Sequence, residues 1–439
     1  MIILQIGAGL NNKTLNIYNP NGIKLNDNIT KSILQNRDYI ILHITGNINP
    51  IKKIMGSNLV VDTSKVKQNL TDGFYWYSMP EYKADEKVYP AIYIGFLNDT
   101  DKNKFVNKLG IKLKNNIKWV HYPNPIIPNN KKLYYSITYK INPKYPIYII
   151  SKGRWKKRLT SRTCEEAGIP YKIVVEKQEY DEYAKVIDPK KILILPDKFI
   201  KVETDKFKIR SSIPARNFVW DHAVKSGAKK HWILDDNIDG FYRWNFNSRF
   251  KINSGVLFKL IEDYVSRFTN ILQSGMNYRM FYPDRQPKPP VVFNTRIYSC
   301  ILNDHRIDKL VDNIRWKNMN FNEDTDLSLR ILKKGYATAQ FNAFLCGKEG
   351  NLTSKGGNTQ TQYTIGNDPK NINTKNILLK AQSLVKQHPD VARVVHRYKR
   401  GIHHHVDYSG FKDNELGYKN PKILKGTKEY NMKLVKYGN

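Results

Sequence analysis

A short apolar run that ends in two carboxylates and an amide constrains this chain most. Residues 231–234 are typical of a buried strand, and Asp235, Asp236 and Asn237 follow directly. Adjacent acids repel each other and resist burial, so a cation is expected beside them. Mg²⁺ and Mn²⁺ prefer hard oxygen ligands, which makes a divalent metal one candidate. The other interpretation is a solvated Asp-Asn turn, and this segment alone does not decide between them.

From Tyr145 onward, strand-like and helix-like patterns alternate. The strand-like runs lie at 147–150, 171–176, 192–195 and 231–234, and the helix-like segments at 158–167 and 214–225. This alternation predicts an α/β fold with a Rossmann-like, mostly parallel sheet flanked by helices. Ligands bind beyond the carboxyl ends of such strands, where the Asp-Asp-Asn cluster lies. Further along, Gly255–Ser274 predicts one long structural helix and Val291–Leu302 predicts another strand.

The distribution of strand-like, helix-like and lysine-rich segments divides the chain into three predicted parts. Residues 1–143 form a separate N-terminal α/β accessory domain of unknown role that includes a linker, 144–412 form the Rossmann-like domain, and 413–439 form a basic C-terminal tail. Strand-like runs at 39–44 and 91–96, separated by Asn, Gly, Pro and Lys turns, support the first domain. The lysine-rich tail is either a flexible arm or a surface-packed helix.

The charge balance favours a polyanionic partner. The 439 residues include 73 Lys and Arg against 39 Asp and Glu, for a formal net charge of +34. A positive field of this size suits nucleic acid and salt-sensitive association. The alternative is that part of the lysine excess reflects AT-rich coding. The chain's three cysteines are isolated and form no CxxC pair, which fits a reducing intracellular compartment.

The amino-terminal residues predict a first strand and not a signal peptide, because they lack a basic segment and a long apolar core. No run approaches the roughly 18 apolar residues that span a bilayer. We therefore expect an intracellular, soluble protein that has no membrane partner. The sequence does not indicate an oligomeric state.

Two further clusters carry candidate chemistry. Glu323 and Asp324 begin a helix-like segment, where they either complement the helix dipole or supply a general base for an acceptor hydroxyl. His403 and His405 lie in a run of three histidines, and in a strand they would share one face. Neutral imidazole would suit a metal already held by carboxylates, although a polar loop that binds nothing is the other interpretation. Lys355 precedes paired glycines and would neutralise a phosphate, or it lies in a simple turn.

One chemistry uses all of these parts. A strand-end acid cluster would hold a divalent ion on a diphosphate, a downstream carboxylate would activate a hydroxyl, and a late histidine would complete the metal shell. This combination describes metal-dependent glycosyl transfer from a nucleotide sugar.

Several blocks in order also resemble a known family. From Tyr145 to about Phe411 the chain is similar to the TET-associated glycosyltransferases, GT-A-fold enzymes of phages and some eukaryotes that are related to the base J glucosyltransferase of kinetoplastids. The matching blocks are SKGRW at 151–155, VEKQE at 175–179, ILP at 194–196, ARNFVW at 215–220, HWILDDNI at 231–238, FNEDTDLSLR at 321–330, GGNT at 356–359 and HHHVDY at 403–408.

The resemblance implies sugar transfer from a nucleotide sugar, such as a UDP-sugar, to a 5-hydroxymethylpyrimidine in DNA. The implied setting is the cytoplasm of a phage- or virus-infected host cell. The implied catalytic pair is Asp324, as the base, with Glu323. The residues that would meet the nucleotide sugar are Ser151, Lys152, Arg154, Arg216, Asn217, Asp235 and Lys355. A divalent metal, Mn²⁺ or Mg²⁺, would be held by Asp236, Asn237, His403 and His405.

Two alternatives stay open at the level of sequence. The same core could glycosylate a protein or glycan hydroxyl, or it could be a non-catalytic DNA-binding protein with a transferase-like core. The resemblance does not cover residues 1–143.

Overall fold

The computed structural model describes most of the second half of the chain and parts of the first. The described residues are 2–6, 15–18, 39–44, 76, 78–83, 91–95, 98–108, 119–122, 133–137, 139–206, 211–246, 248–282, 289–313, 315–316, 321–349, 374–397, 401–417 and 429–436. The chain forms two compact units. Unit 1 comprises Met1–Leu70 and Asp85–Asn129, and unit 2 comprises Thr71–Ala84 and Asn130–Asn439.

Unit 1 contains a small sheet and a helix. Its described elements are β1 (Ile2–Ile6), β2 (Leu15–Tyr18), β3 (Tyr39–Ile44), β4 (Ala91–Gly95), α1 (Asp99–Lys108) and β5 (Trp119–Tyr122). The described strands pair in the order β2-β1-β4-β3-β5, with only β3 and β5 parallel. The strands predicted at 39–44 and 91–96 are confirmed, and the second ends at Gly95.

Unit 2 alternates strands and helices in its first half. These elements are β6 (Leu133–Ile137), β7 (Ile147–Ile150), α2 (Leu159–Glu166), β8 (Lys172–Val175), α3 (Tyr180–Ala184), β9 (Ile192–Ile194), α4 (Asp197–Lys206), α5 (Ile213–Lys225) and β10 (Lys230–Asp235). Strands β7 to β10 follow the predicted alternation, which comes from apolar runs of strand length separated by amphipathic segments.

The second half of unit 2 adds further strands and the helix of the second acidic cluster. Its elements are β11 (Ile238–Asn245), β12 (Ser248–Ile252), α6 (Val256–Val265), β13 (Ile271–Tyr278), β14 (Val291–Phe293), β15 (Cys300–Asp304), α7 (Ile307–Leu310), α8 (Glu323–Lys333), β16 (Ala337–Lys348), α9 (Thr374–Gln387), β17 (Ala392–Arg397), β18 (Gly401–Val406) and β19 (Met432–Lys436). Among the described helices, none is long and apolar enough to cross a membrane.

One large mixed sheet runs through unit 2. Its order is β19-β6-β12-β11-β16-β13-β15-β10-β7-β8-β9, with β14 paired to β16. The strands β10, β7, β8 and β9 are parallel neighbours, whereas β15 joins β10 in the antiparallel direction. The predicted α/β class is confirmed. The parallel part is the Rossmann-like portion, and antiparallel pairs become common towards the β19 edge.

Within the parallel part, β7, β8 and β10 are buried on both faces. On β10, Trp232 and Leu234 pack into one hydrophobic cluster with α6, and Ile233 packs into another with α5 and α8. This alternation follows from the two-residue period of a strand. Since β10 and β7 run in parallel with Asp235 opposite Ile150, the residues after both strands emerge at the same edge.

The predicted helix over Gly255–Ser274 is wrong in its second part. Helix α6 ends at Val265, and β13 begins at Ile271. Residues 271–277 are buried on both faces of the sheet, so their apolar pattern lacks the alternation that marks a half-exposed strand. The sheet also needs a glycine here, because a Cβ on Gly275 would lie 2.2 Å from the Cys300 carbonyl oxygen.

The predicted strand over Val291–Leu302 is two strands, β14 and β15, joined by residues 294–299. Asn294 and Ser299, at the two ends of this connection, have positive φ angles of 56° and 61°. Such angles are uncommon for residues other than glycine. The connection therefore turns sharply between the two strands.

The basic tail is not helical where it is described. Met432–Lys436 forms β19, which pairs with β6 in the antiparallel direction and adds to the large sheet. Met432 is buried in the main hydrophobic cluster, so this segment is part of the fold of unit 2. The alternation of exposed lysines with apolar residues in MKLVK is typical of an edge strand.

Candidate active site

Asp235 lies at the end of β10 beside two cations. Its carboxylate accepts hydrogen bonds from Ser299 Oγ at 2.5 Å, Lys348 Nζ at 2.9 Å and Arg216 Nη2 at 3.2 Å. Burial opposes ionisation, but the charges on Lys348 and Arg216 outweigh it and hold the pKa of Asp235 well below its usual range. The protein's own cations therefore neutralise this carboxylate.

Asp236 contacts the segment that follows β7. Ser151 Oγ donates a hydrogen bond to its Oδ2 at 2.9 Å, and the Arg154 guanidinium forms an ion pair with its Oδ1. Tyr183 supports both partners, since its Oη lies 2.6 Å from Ser151 Oγ and accepts the Arg154 backbone N–H at 3.1 Å. Burial raises the pKa of Asp236, and Arg154 opposes that rise. Two of the predicted donor-binding residues thus meet the acid cluster.

Lys152 belongs to the same loop but pairs elsewhere. Its Nζ lies 2.5 Å from Glu176 Oε1, just after β8. The neighbouring Gly153 N–H donates to Glu179 Oε2 at 3.1 Å. These contacts hold the loop after β7 against the next parallel strand, so its polar groups stay at the carboxyl edge of the sheet.

Asn237 presents a buried oxygen beside the acids. Its side-chain Oδ1 is buried and makes no hydrogen bond with any described residue, whereas its backbone carbonyl accepts the Glu349 N–H at 3.2 Å. A buried polar atom without a partner needs an explanation. A hard carbonyl oxygen next to the Asp236 carboxylate fits the ligand preference of Mg²⁺ or Mn²⁺.

The second acidic cluster begins α8. Glu323 accepts a hydrogen bond from Ser212 Oγ, and its Oε1 lies 3.2 Å from Arg216 Nε. Asp324 Oδ1 accepts the Thr325 N–H at 2.7 Å. Burial and the charge of Glu323 raise the pKa of Asp324, although Arg216 partly offsets them. Asp324 therefore binds a proton more tightly than an ordinary aspartate does, as a general base requires.

Asn322 stands at the N-cap position of α8 but does not cap it. Its backbone is left-handed, with φ of 62°, and its Nδ2 donates to the Lys380 carbonyl at 2.7 Å. Thr325 lies inside the helix, in its first turn. The acids in the first turn still complement the helix dipole.

Arg216 joins the two acidic clusters. It is 4% exposed, contacts Asp235 and Glu323 at 3.2 Å each, and stacks with its guanidinium 4.8 Å from the Trp316 ring centroid. Asp235 and Glu323, some ninety positions apart in the chain, therefore share the charge of one arginine. The two clusters that the sequence treats separately form a single site, with Arg216 between them.

Asn217, the neighbour of Arg216, turns away from the acids. Its side-chain amide donates to the Trp316 carbonyl at 3.3 Å and accepts the Trp316 N–H at 3.4 Å. These contacts fix the tryptophan on which Arg216 stacks. The described contacts of Asn217 are thus structural, and its predicted contact with a nucleotide stays a prediction.

The histidines lie on β18, which pairs with β17 in a two-stranded sheet. His403 is opposite Val395, and His405 is opposite Arg393. The described residues contain no group of three or more His, Cys, Asp or Glu side chains arranged to hold a metal. The roles of His403 and His405 as ligands stay a prediction. Lys355 lies outside the described residues.

Three residues of the site were not identified from the sequence. Lys348, at the end of β16, lies 2.7 Å from Ser299 Oγ and 3.1 Å from Tyr278 Oη. The Tyr278 hydroxyl also hydrogen bonds to Ser299 Oγ. Lys348 and Tyr278 each end a long buried strand, but polar residues such as Gln273 and Asn342 interrupt the apolar pattern before them, so the sequence carried no clear signal. Their pairing with Asp235 depends on antiparallel strand order, which the local pattern does not reveal.

Comparison with known proteins agrees with the resemblance noted above. A family model described as TET-associated glycosyltransferase matches residues 145–357. This range includes both acidic clusters, Arg216 and Lys348. No curated protein matches the chain.

Proposed function

We propose that the chain transfers a sugar from a nucleotide-sugar donor to a 5-hydroxymethylpyrimidine in DNA, on the basis that residues 145–357 match the TET-associated glycosyltransferase model. The observation that carries the proposal is the bridge formed by Arg216. Through Glu323 it connects the strand-end acid cluster, at the expected ligand edge, with the cluster that contains Asp324, a partly buried carboxylate of raised pKa. Glycosyl transfer needs these two parts side by side.

The donor side of the proposed site is the loop after β7. Ser151 and Arg154 lie against Asp236 at the carboxyl edge of the parallel strands, where nucleotides bind in open α/β sheets. In the proposed complex, the Arg154 guanidinium leaves Asp236 in part to contact a diphosphate oxygen, because arginine suits phosphate geometry. Arg216 and Lys348 add positive charge beside the departing group.

The proposed chemical step uses Asp324 as the base. Its carboxylate accepts the proton of the hydroxymethyl group while the hydroxyl oxygen bonds to the anomeric carbon of the sugar. The bond from that carbon to the diphosphate breaks, and its electron pair leaves with the nucleotide. The raised pKa of Asp324 favours this role, because a stronger base removes the proton more readily.

The predicted divalent metal would be held by Asp236 and Asn237, whose hard oxygens fit it. When bound with the donor, such an ion would neutralise charge on the diphosphate. In the described structure Ser151 and Arg154 already contact Asp236. We therefore propose that the ion binds together with the donor diphosphate and not as a resident metal.

The choice of DNA as acceptor is supported by charge and by the family. The formal net charge of +34 favours a polyanion, and its contribution should weaken with salt. A hydroxymethyl group on the 5-position of a pyrimidine lies in the major groove, where a protein reaches it. An uncharged glycan acceptor would not be attracted by this positive charge.

A transfer assay tests the proposal. Purified chain is incubated with labelled UDP-sugars and with duplexes that differ only in carrying cytosine, 5-hydroxymethylcytosine or 5-hydroxymethyluracil. Label should enter a hydroxymethylated duplex and no other. Transfer that does not depend on the hydroxymethyl group contradicts the proposed acceptor, and label on protein or glycan alone selects the alternative acceptor class.

A further inference from the structure

An exposed aromatic patch lies beside the acid cluster. Phe281 and Met280, which follow β13, are 41% and 51% exposed. The Phe281 ring centroid lies 5.3 Å from that of Tyr278 and 6.4 Å from that of Tyr298. The Tyr278 and Tyr298 rings are 4.4 Å apart. Exposed apolar side chains grouped in this way mark binding surfaces more often than isolated ones do.

The patch is connected to the reaction site by hydrogen bonds. Tyr278 Oη contacts Ser299 and Lys348, both of which bind Asp235. The connection at 294–299 also meets the second acidic cluster, because the Ile297 N–H donates to Ser328 Oγ on α8. Ser328 Oγ in turn lies 3.0 Å from the Asp324 carbonyl oxygen.

Polar groups line the same region. Arg296 lies with its guanidinium 5.2 Å from the Tyr298 ring centroid and interacts electrostatically with Asp324 and Tyr408. The Tyr408 hydroxyl is buried and makes no hydrogen bond with any described residue. Burial and the nearby charge of Asp324 raise the pKa of Tyr408, although Arg296 opposes the rise. A buried hydroxyl without a partner indicates that a ligand or water supplies one.

The geometry points to a nucleobase subsite, and this inference rests on the proposed function. We infer that the acceptor pyrimidine leaves the duplex and stacks on Phe281, with Arg296 and Tyr408 contacting its polar edge and its hydroxymethyl group directed to Asp324. An aromatic face with convergent polar groups suits a flat heterocycle. The charge of Arg296 and the net charge of +34 suit a base attached to a phosphate backbone.

A glycan could also contact an aromatic face, so the test must detect the base itself. The two ligands are a duplex with one 5-hydroxymethylpyrimidine and the same duplex with an abasic tetrahydrofuran at that position. Fluorescence anisotropy measures the affinity of each duplex for wild type and variants. Phe281→Ala should weaken binding of the base-containing duplex about 5- to 150-fold, the range found for base–aromatic stacking. It should leave binding of the abasic duplex within about twofold.

Three variants separate stacking from other effects. Phe281→Trp keeps a flat face and should retain affinity, whereas Phe281→Leu keeps an apolar side chain and should lose it. Tyr408→Phe should weaken binding of the base-containing duplex about 2- to 12-fold, because one hydrogen bond is lost. Tyr139→Ala removes an aromatic side chain that is 60% exposed and belongs to no part of the site, so it should change neither affinity.

Failure of the base subsite can be distinguished from failure of the proposed function. If wild type transfers sugar to hydroxymethylated DNA but Phe281→Ala binds both duplexes as wild type does, the base subsite is wrong and the function stands. An equal loss for both duplexes also overturns the subsite. If wild type transfers sugar to no DNA and binds both duplexes equally, the proposed acceptor fails and the subsite fails with it.

Discussion

Replacing Arg216 with methionine should destabilise unit 2 and disturb both acidic clusters. The methionine keeps an apolar stem against Trp316 but removes the charge shared by Asp235 and Glu323. Removing one partner of a buried ion pair costs about 3–5 kcal/mol, because the remaining charge is left without compensation. Asp235 would retain Lys348 and Ser299, so most of the loss should come from Glu323. We therefore expect a loss of about 3 kcal/mol, at the lower end of that range.

Urea-induced unfolding monitored by tryptophan fluorescence measures this loss. Trp220, Trp232, Trp244 and Trp316 are fully buried in unit 2, so they report on the right part of the chain. Lys185→Met is the matched control, because it removes a cation from an exposed ion pair with Glu182. Adding Glu323→Gln to Arg216→Met should restore part of the stability, since an amide carries no charge. If Arg216→Met unfolds at the same urea concentration as Lys185→Met, the bridge contributes nothing and the single-site argument fails.

Four further predictions concern the acidic clusters and the residues beside them. Asp324→Asn should lower kcat about 10²- to 10⁴-fold while donor binding, measured by calorimetry, is retained. In wild type, kcat/KM should fall as the pH drops through the raised pKa of Asp324. The pKa fitted to the acidic side of the pH profile should therefore lie above the ordinary aspartate value of about 4, and a fitted pKa at or below that value contradicts the assignment. Lys348→Met should cost about 2 kcal/mol at neutral pH. The pKa of Asp235 is lowered in the folded state, so its ionisation stabilises the fold above about pH 4. This stabilisation is lost as the pH falls below that value. Because Lys348 contributes to the lowered pKa, Lys348→Met should make the urea midpoint less sensitive to acid. Mn²⁺ binding, followed by electron paramagnetic resonance, should be weak alone and at least about tenfold tighter with UDP, and Asn237→Ala should diminish that gain; equal binding with and without UDP would refute arrival with the donor.

The sequence predicts the parallel half of the sheet well. Strands such as β7 and β10 are short apolar runs between helical segments, and a right-handed crossover leaves few ways to arrange them. The position of Asp235 and Asp236 at the ligand edge follows from that arrangement alone. The family resemblance then related this edge to glycosyl transfer, and the model of that family matches residues 145–357, which include the edge.

The sequence did not predict how the acids are neutralised. It predicted a cation beside them, with a divalent metal as one candidate, but it did not identify Lys348. This lysine pairs with Asp235 from 113 residues later in the chain, on a strand that is not a neighbour of β10. Asn217 was expected near the nucleotide because it lies near a helix start. In the structure its side chain contacts the Trp316 backbone, and its contact with a nucleotide stays a prediction. The prediction of one helix over Gly255–Ser274 was wrong in its second part, because burial on both faces of the sheet removes the alternation that identifies a strand.

The edge strand β19 has a consequence for how this domain can fold as it is synthesised. Strand β6 pairs with residues about three hundred positions later, and Arg243, 1% exposed on β11, is held by Glu429 and by the Glu81 carbonyl. These contacts join segments that leave the ribosome far apart in time, and pairings of such high contact order form slowly. Until residues 429–436 have emerged, Arg243 lacks the Glu429 carboxylate and β6 lacks this partner strand. Chains halted before that point should therefore depend on chaperones, although they already contain every residue assigned to the site.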